Sequence, residues 1–475
     1  MTFKDYSRHD AVGLAALIRD REVSALEVLD AAIARTEAVN GTINAIVHKA
    51  YDEARAAAAA ALPGGLLSGV PFLAKDLHLH VKGWPLSNGS RWFDGYVSPR
   101  DSELTRRWRD GGLVLFGKTN TPEFGITGTT ESRRLGPARN PWNPAHIAGG
   151  SSGGAAAAVA AGILPMAHAT DGLGSIRIPA ACCGLVGLKV TRHRAPLDER
   201  APGTGFAVGH VVSHTVRDTA AMLDVVAWHE PHAPYPQPPR PPSYLDDMER
   251  APGRLRIAFT WKAPVGLPYH PEVEATMRAT LATLESLGHH VFERDLEMDW
   301  PMLYRGQGAW GASDFAAGMQ FAIADTGRMP GPDDIEPLSR WIWEQGQKIT
   351  GEQAMQGARV VRDGAWALLA QWAHFDVLLT PTMITLPPVI GHIDPVALDP
   401  QELNTRQAVT FGGFTPPMNF TGQPSLSLPL GQSAGGLPIG MMFSGRYGDE
   451  ATLLRLARQL EEAMPWRDRK APLFA

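Results

Sequence analysis

Residues 149–161 run Gly-Gly-Ser-Ser-Gly-Gly and then Ala-Ala-Ala-Ala-Val-Ala-Ala. Four glycines around two serines allow backbone to approach a ligand closely. The alanine run is a strong helix former whose N-terminus would aim free N–H groups back at Ser151 and Ser152. A phosphate loop is excluded, because no lysine follows the glycines. A nucleophile elbow, Gly-x-Ser-x-Gly, is formally matched by Gly149 to Gly153 with Ser151 at its centre. It requires a buried strand immediately before it, and the residues there, Asn140-Pro-Trp-Asn-Pro-Ala-His146, predict a turn-rich loop. Ser151 is therefore better placed as one part of a longer constellation.

Two further stretches supply the rest. Thr170-Asp171-Gly172-Leu173-Gly174-Ser175 is a glycine-rich loop ending in serine, which would expose consecutive N–H groups beside a hydroxyl, as an oxyanion hole with a serine nucleophile requires. Lys75 lies in Val70-Pro-Phe-Leu-Ala-Lys-Asp-Leu-His-Leu79. In a strand from Val70 to His80 it shares a face with Leu73, Leu77 and Leu79. Burial on an apolar face lowers a lysine pKa and leaves a neutral amine able to act as a base; the competing reading is an edge lysine with its stem along the sheet. His78 and His80 would share a strand face near Lys75, but no third ligand stands close, and no metal or other cofactor is expected.

The surrounding chain predicts an α/β fold in which crossover helices join buried strands. Asp10 precedes one helix, and Ser24-Ala-Leu-Glu27 forms a capping box for a second. An Ala-rich helix spans about Tyr51 to Ala61, and a short one runs from Asp101 to Gly111-Gly112. Leu113 to Phe116 reads as a strand. Seven prolines between Pro231 and Pro242 mark a semi-rigid linker or surface loop. Beyond them strands are expected at 255–260, 290–294, 376–380, 425–429 and 440–444, with helices at 272–287 and 450–464, and His289-His290 in a solvated loop. The segment 300–372 carries six of the thirteen tryptophans. It is either helix-packing core or, in part, the wall of an apolar substrate pocket.

Composition narrows the function classes. With 44 Lys+Arg against 49 Asp+Glu, net charge −5, the chain lacks the basic footprint of a nucleic-acid binder and the cationic amphipathic stretch of a membrane-surface helix. The longest apolar run, Ala155 to Met166, is too short to span a bilayer. The first ten residues have no signal-peptide core, so a cytoplasmic protein is the default expectation. Cys182 and Cys183 are adjacent and read as small buried hydrophobes, with a redox or metal role as the lesser alternative.

Taken together, the motifs resemble the amidase signature family, the Ser–cisSer–Lys hydrolases. The resemblance rests on Gly149-Gly-Ser-Ser-Gly-Gly154 with its alanine helix, on Thr170-Asp171 through Ser175-Ile-Arg-Ile-Pro-Ala180, and on Cys183-Gly-Leu-Val-Gly-Leu-Lys189. Gly69-Val-Pro-Phe with Lys75-Asp76, Gly117-Lys-Thr-Asn-Thr-Pro-Glu-Phe124 and Asn419-Phe-Thr-Gly-Gln-Pro424 match as well. It implies one amidase domain over 1–475 with a central twisted mixed β-sheet covered by helices on both faces. Its parts would be an N-terminal helical segment (1–65), a catalytic core (66–230), the Pro-rich loop (231–254) and a second part of the core (255–475), with 300–372 near the pocket.

By the same resemblance Ser175 is the acylated nucleophile. Ser151, after a cis Gly150–Ser151 bond, is the bridging serine, and Lys75 is the terminal base. Backbone N–H groups of residues 172–175, including Gly172, Leu173 and Gly174, would hold the oxyanion, and Thr127 and Gly128 belong to a segment lining the site. The family usually has Gly-Gly-Ser where this chain has Leu173-Gly174-Ser175. The expectation is a negative φ at Leu173 with its side chain bordering the substrate. Asp171 and Arg177 are expected to hold the loop in shape by hydrogen bonds, with direct substrate contact as the alternative.

The overall pattern looks most like 6-aminohexanoate cyclic-dimer hydrolases and aryl acylamidases, which implies hydrolysis of an apolar linear or cyclic amide, anilide, carbamate or ester. The partner is then a small-molecule amide, and a homodimer stays open. Two alternatives are a carbamate-cleaving urethanase and the A subunit of glutamyl-tRNA amidotransferase. Relatives of the latter usually carry Gln where this chain has Ile178.

Overall fold

The computed structural model describes residues 5–196, 204–228 and 235–474. Asp10 caps helix α1 (Ala11–Arg19) by accepting from the Gly13 N–H, and Ser24 and Glu27 close the capping box of α2 (Ala25–Ile43). Then come β1 (Ile46–Lys49), the Ala-rich α3 (Tyr51–Ala59), β2 (Pro71–Lys75), α4 (Glu103–Asp110) and β3 (Val114–Thr119). The three strands make a small sheet in the order β1-β3-β2, with β2 parallel to β3. Strand β2 is wholly buried but stops at Lys75, short of the expected end at His80. The Asp76 N–H still donates to Thr119, but its carboxylate pairs with Lys118 at 2.8 Å, and His78 has φ +53°, outside any strand geometry. Leu77, Leu79, His78 and His80 therefore do not continue the face of Lys75.

Two short ribbons follow, β4 (Glu131–Ser132) with β5 (Gly136–Pro137) and β6 (Arg139–Asn140) with β7 (Asn143–Ile147). Strand β7 lies where a turn-rich loop was expected. It pairs with β6 and bridges residues 388–390 through His146 and Val389, and two side chains help hold the chain extended: Asn140 donates to the Ile147 carbonyl, and Arg139 to that of Pro144. The alanine helix α5 (Gly153–Ala160) is buried at every residue. Then come β8 (Met166–Asp171), α6 (Arg177–Cys183), β9 (Val186–Lys189), β10 (Val208–Ser213) and α7 (Val216–Val226). Cys182 and Cys183 are free and buried in α6.

The remaining elements are α8 (Tyr244–Asp247), β11 (Arg256–Phe259), α9 (Pro271–Ser286), β12 (His290–Glu293), α10 (Trp300–Thr326), α11 (Pro337–Lys348), α12 (Gly351–Gln371), β13 (Val377–Pro381), α13 (Pro400–Phe411), α14 (Thr415–Thr421), β14 (Ser425–Gln432), β15 (Pro438–Ser444) and α15 (Glu450–Ala463). They complete a mixed eight-stranded sheet, β12-β11-β13-β15-β14-β9-β10-β8, in which β11 runs parallel to both its neighbours and the other pairs are antiparallel. The two-residue period of a strand sorts its faces. Gly187 and Gly440 lie so close to α6 that an added Cβ would sit 2.5 Å from Ala180 and Ala181 respectively. Val186 and Leu188 point the other way, into a core shared with α7, α9 and α15. The sheet is covered on both sides, as the α/β expectation required.

Of the two readings of the Pro-rich stretch, the part from Tyr235 onward takes that of a loop, strapped down because the buried Arg194 guanidinium donates to the carbonyls of Pro238 and Pro239; residues 231–234 lie outside the described residues. His289 is buried, accepting from the Leu255 N–H and bonding Gln459, not solvated.

Candidate active site

Lys75 is the last residue of β2, and its ammonium end is surrounded by hydroxyls. Nζ lies 2.8 Å from Ser151 Oγ, 2.9 Å from Ser152 Oγ and 2.9 Å from Thr170 Oγ1. Burial pushes its pKa well down, and the charge of Asp171 opposes this only in part, so the amine is biased toward the neutral form. The Gly150–Ser151 peptide bond is cis. Gly150 itself has no room for a side chain, since a Cβ there would lie 2.5 Å from the Thr129 carbonyl oxygen.

Ser175 sits between β8 and α6, in a loop closed by one carboxylate. Asp171 is fully buried and accepts from the N–H groups of Gly174 (2.7 Å) and Ile176 (3.2 Å). It also takes both Nε and Nη2 of Arg177, at 2.9 Å each, and Nδ2 of Asn419. Burial works to raise its pKa, but the Arg177 charge and hydrogen bonds from Arg177 and Asn419 outweigh it and hold the group at about 2. Asp171 and Arg177 are both inaccessible to solvent, so they shape the loop and do not reach substrate.

The loop geometry resolves the departure at Leu173. The positive φ belongs to Gly174, at +139°, where a Cβ would meet Thr415 Oγ1 at 2.5 Å and Ile178 Cδ1 at 2.7 Å. Leu173 is not among the residues with positive φ, and it is 36% exposed. A glycine is thus required at 174 and not at 173. The Gly174 N–H is already spent on Asp171, which removes it from the expected set of oxyanion donors and leaves those of Gly172, Leu173 and Ser175. Among the described residues Ser175 Oγ makes no hydrogen bond; the expected link to Ser151 Oγ is not formed in this state. Ser175 is half-buried, and the Thr170 hydroxyl, five residues before it, is on Lys75.

Thr127 and Gly128 lead into Thr129, whose backbone packs against Gly150 beside the cis bond. The Thr127 hydroxyl donates to the Thr129 carbonyl, and the Gly128 N–H donates to Gln407 of α13. The sequence pattern does not single out Ser152, Thr170 or His168, whose Nδ1 accepts the Lys75 N–H at 3.2 Å. The available signal is alternation: His168 and Thr170 are polar residues two apart in a strand otherwise made of Met, Ala and Asp and buried almost throughout, so both turn to the same side.

The aromatic segment divides its residues. Trp343, Phe315 and Met319 pack with Trp92, Phe93 and Phe124 as core. Trp310, Val361, Ala365 and Trp366 line a groove of about 560 Å³ with Phe206 and Phe420 and with the charged Arg192, Glu352, Arg359 and Arg362. Asn419 ties this wall to the loop, donating to the carbonyls of both Phe206 and Asp171.

The amidase family model matches residues 27–454. The chain belongs to the amidase family. It is 37% identical to the 6-aminohexanoate-cyclic-dimer hydrolase of Paenarthrobacter ureafaciens, over 98% of this chain and 97% of that one. It is 32% identical to an acylamidase of Rhodococcus erythropolis, over 99% and 98%. A solved structure of 6-aminohexanoate cyclic dimer hydrolase superposes with a TM-score of 0.93 at 35% identity, covering 99% of each chain. The protein is an amidase, a hydrolase of carbon–nitrogen bonds in amides. Among the described residues no helix is long and apolar enough to cross a membrane.

Proposed function

We propose that this amidase cleaves apolar linear or cyclic amides through an acyl-enzyme on Ser175, with Ser151 and Lys75 as its proton relay. The observation that carries this reading is the hydroxyl cage around a buried lysine. Ser152 Oγ accepts from the Thr170 N–H and donates its own proton to the Thr170 carbonyl, so toward Lys75 it acts only as an acceptor. A neutral amine has two N–H donors and one lone pair. With the donors on Ser152 and Thr170, the lone pair faces the Ser151 hydroxyl. Lys75 then takes the Ser151 proton as Ser151 takes that of Ser175, and Ser175 Oγ attacks the carbonyl carbon. The N–H groups of Gly172, Leu173 and Ser175 are the candidate oxyanion donors. The relay returns a proton to the leaving amine, and water follows the same route to release the acid.

The substrate class is supported by the exposed Leu173, two residues before the nucleophile, which favours an apolar acyl or amine part. The relatives' named substrates support amides over the carbamate alternative. An amidotransferase A subunit is the weaker reading, since the relatives named above are hydrolases and Ile178 packs where Gln is usual. We place the enzyme in the cytoplasm, with a homodimer as its candidate assembly. The test is fluorophosphonate labelling with peptide mapping. It is joined to a hydrolysis screen over 6-aminohexanoate cyclic dimer, anilides, aliphatic amides and carbamates, with Ser175→Ala as control. The expected result is an adduct on Ser175 and amide turnover that the substitution abolishes; turnover surviving Ser175→Ala overturns the assignment.

A further inference from the structure

Strand β2 is the edge of the three-stranded sheet and β8 the edge of the eight-stranded one. The two edges meet without a backbone ladder between them. At this seam the Lys75 N–H faces away from β3 and donates to a side chain, Nδ1 of His168 on β8. The imidazole is fully buried. Its ring lies 4.7 Å from that of Trp108, which packs at 4.9 Å on Phe72 of β2. Its Nε2 has no partner among the described residues and faces Gly209, where a Cβ would stand 3.6 Å away.

We propose that His168 is a positioning residue for the Lys75 base: its Nδ1 holds the strand end from which the amine reaches Ser151, across a seam that no backbone pairing bridges. The inference rests on Lys75 being the base. An Nδ1 that accepts a backbone N–H cannot itself carry a proton, so the ring must be neutral with its hydrogen on Nε2. Its surroundings enforce this: burial first pushes its pKa well down, and any charge taken up by Lys75, His210 or Lys118 works in the same direction. A protonated ring would turn a donor toward the Lys75 N–H and set a positive charge beside an amine that must accept a proton. His168 therefore shuttles no proton; it acts through the position of Lys75, next to Thr170, which holds the other end of the same side chain.

The test compares three variants of the full chain by the rate at which a fluorophosphonate labels Ser175 between pH 5 and 9. His168→Asn keeps an acceptor where Nδ1 stands, His168→Gln moves it one carbon outward, and His168→Phe keeps the ring without an acceptor. The expected result is that Gln and Phe lower the maximal labelling rate about 10–100-fold with little change in the half-saturating probe concentration, and move the acid limb to higher pH as the amine escapes its cage. Asn should stay within about threefold of the parent. If Phe does not fold, the Asn–Gln contrast still decides. Three variants falling alike, or Gln labelling at the parental rate with an unmoved limb, overturn the proposal. Lys75→Ala in parallel separates the two failures: if it labels like the parent, the base assignment itself is wrong.

Discussion

Replacing Asp171 with Asn removes one charge from the most heavily bonded side chain near the nucleophile while keeping its shape. Asp171 is buried, and its carboxyl sits at about 2 in the fold against 3.8 unperturbed. At about 1.4 kcal/mol per unit, this difference makes the ionised group worth on the order of 2 kcal/mol at pH 7. Stranding the buried Arg177 charge brings the expected total to about 3–5 kcal/mol. The sign follows from linkage. The folded pKa is depressed, so the contribution is complete above about pH 4 and is lost as pH falls toward 2. By pH 3 the gap between parent and variant should narrow by about 1 kcal/mol. The assay is urea unfolding followed by tryptophan fluorescence at pH 7, 4 and 3, with the midpoint shift scaled by the slope. Other carboxylates titrate in both proteins and cancel. Labelling of Ser175 should fall as well, since the N–H groups of Gly174 and Ile176 lose a charged acceptor. Equal midpoints at pH 7, or a gap unchanged between pH 7 and 3, would refute the claim that this charge holds the loop.

Three more outcomes follow from the same geometry. Burial lowers the Lys75 pKa, so fluorophosphonate labelling should rise with pH through a single acid limb that lies below the ordinary lysine range. Lys75→Arg, which stays protonated, should lose about 10²-fold or more, and an active Arg variant would remove the neutral-amine mechanism. Gly174→Ala should abolish labelling, because φ is +139° and the new Cβ would strike Thr415 and Ile178. Gly172→Ala, with nothing within 4 Å of its Cβ, should remain within about threefold, and equal losses at both positions would contradict the loop geometry. Leu173→Ser should raise KM for apolar amides about 5–20-fold with kcat nearly unchanged, the size of a partly buried leucine contact. A fall in kcat at constant KM would mean that residue 173 acts on the oxyanion rather than on binding.

The helix starts at Asp10 and Ser24, the buried strands and the three catalytic candidates could be read from the chain because each depends on residues close in sequence: a cap and its N3 partner, an apolar run, a glycine beside a serine. The joint motif pattern then named the family. What the sequence could not show were contacts made between distant segments. Strand β2 ends at Lys75 because Asp76 pairs with Lys118 across the sheet. The amine of Lys75 is held by the hydroxyls of Ser152 and Thr170, which lie 77 and 95 residues away. The Gly174 N–H is lost to Asp171 although both lie in one loop, since donor commitment depends on the turn the chain takes and not on spacing alone. Residue types and their order thus determined which chemistry this chain carries. Only tertiary packing decided which proton faces which atom, because burial and hydrogen-bond direction are properties of neighbours that sequence does not place side by side.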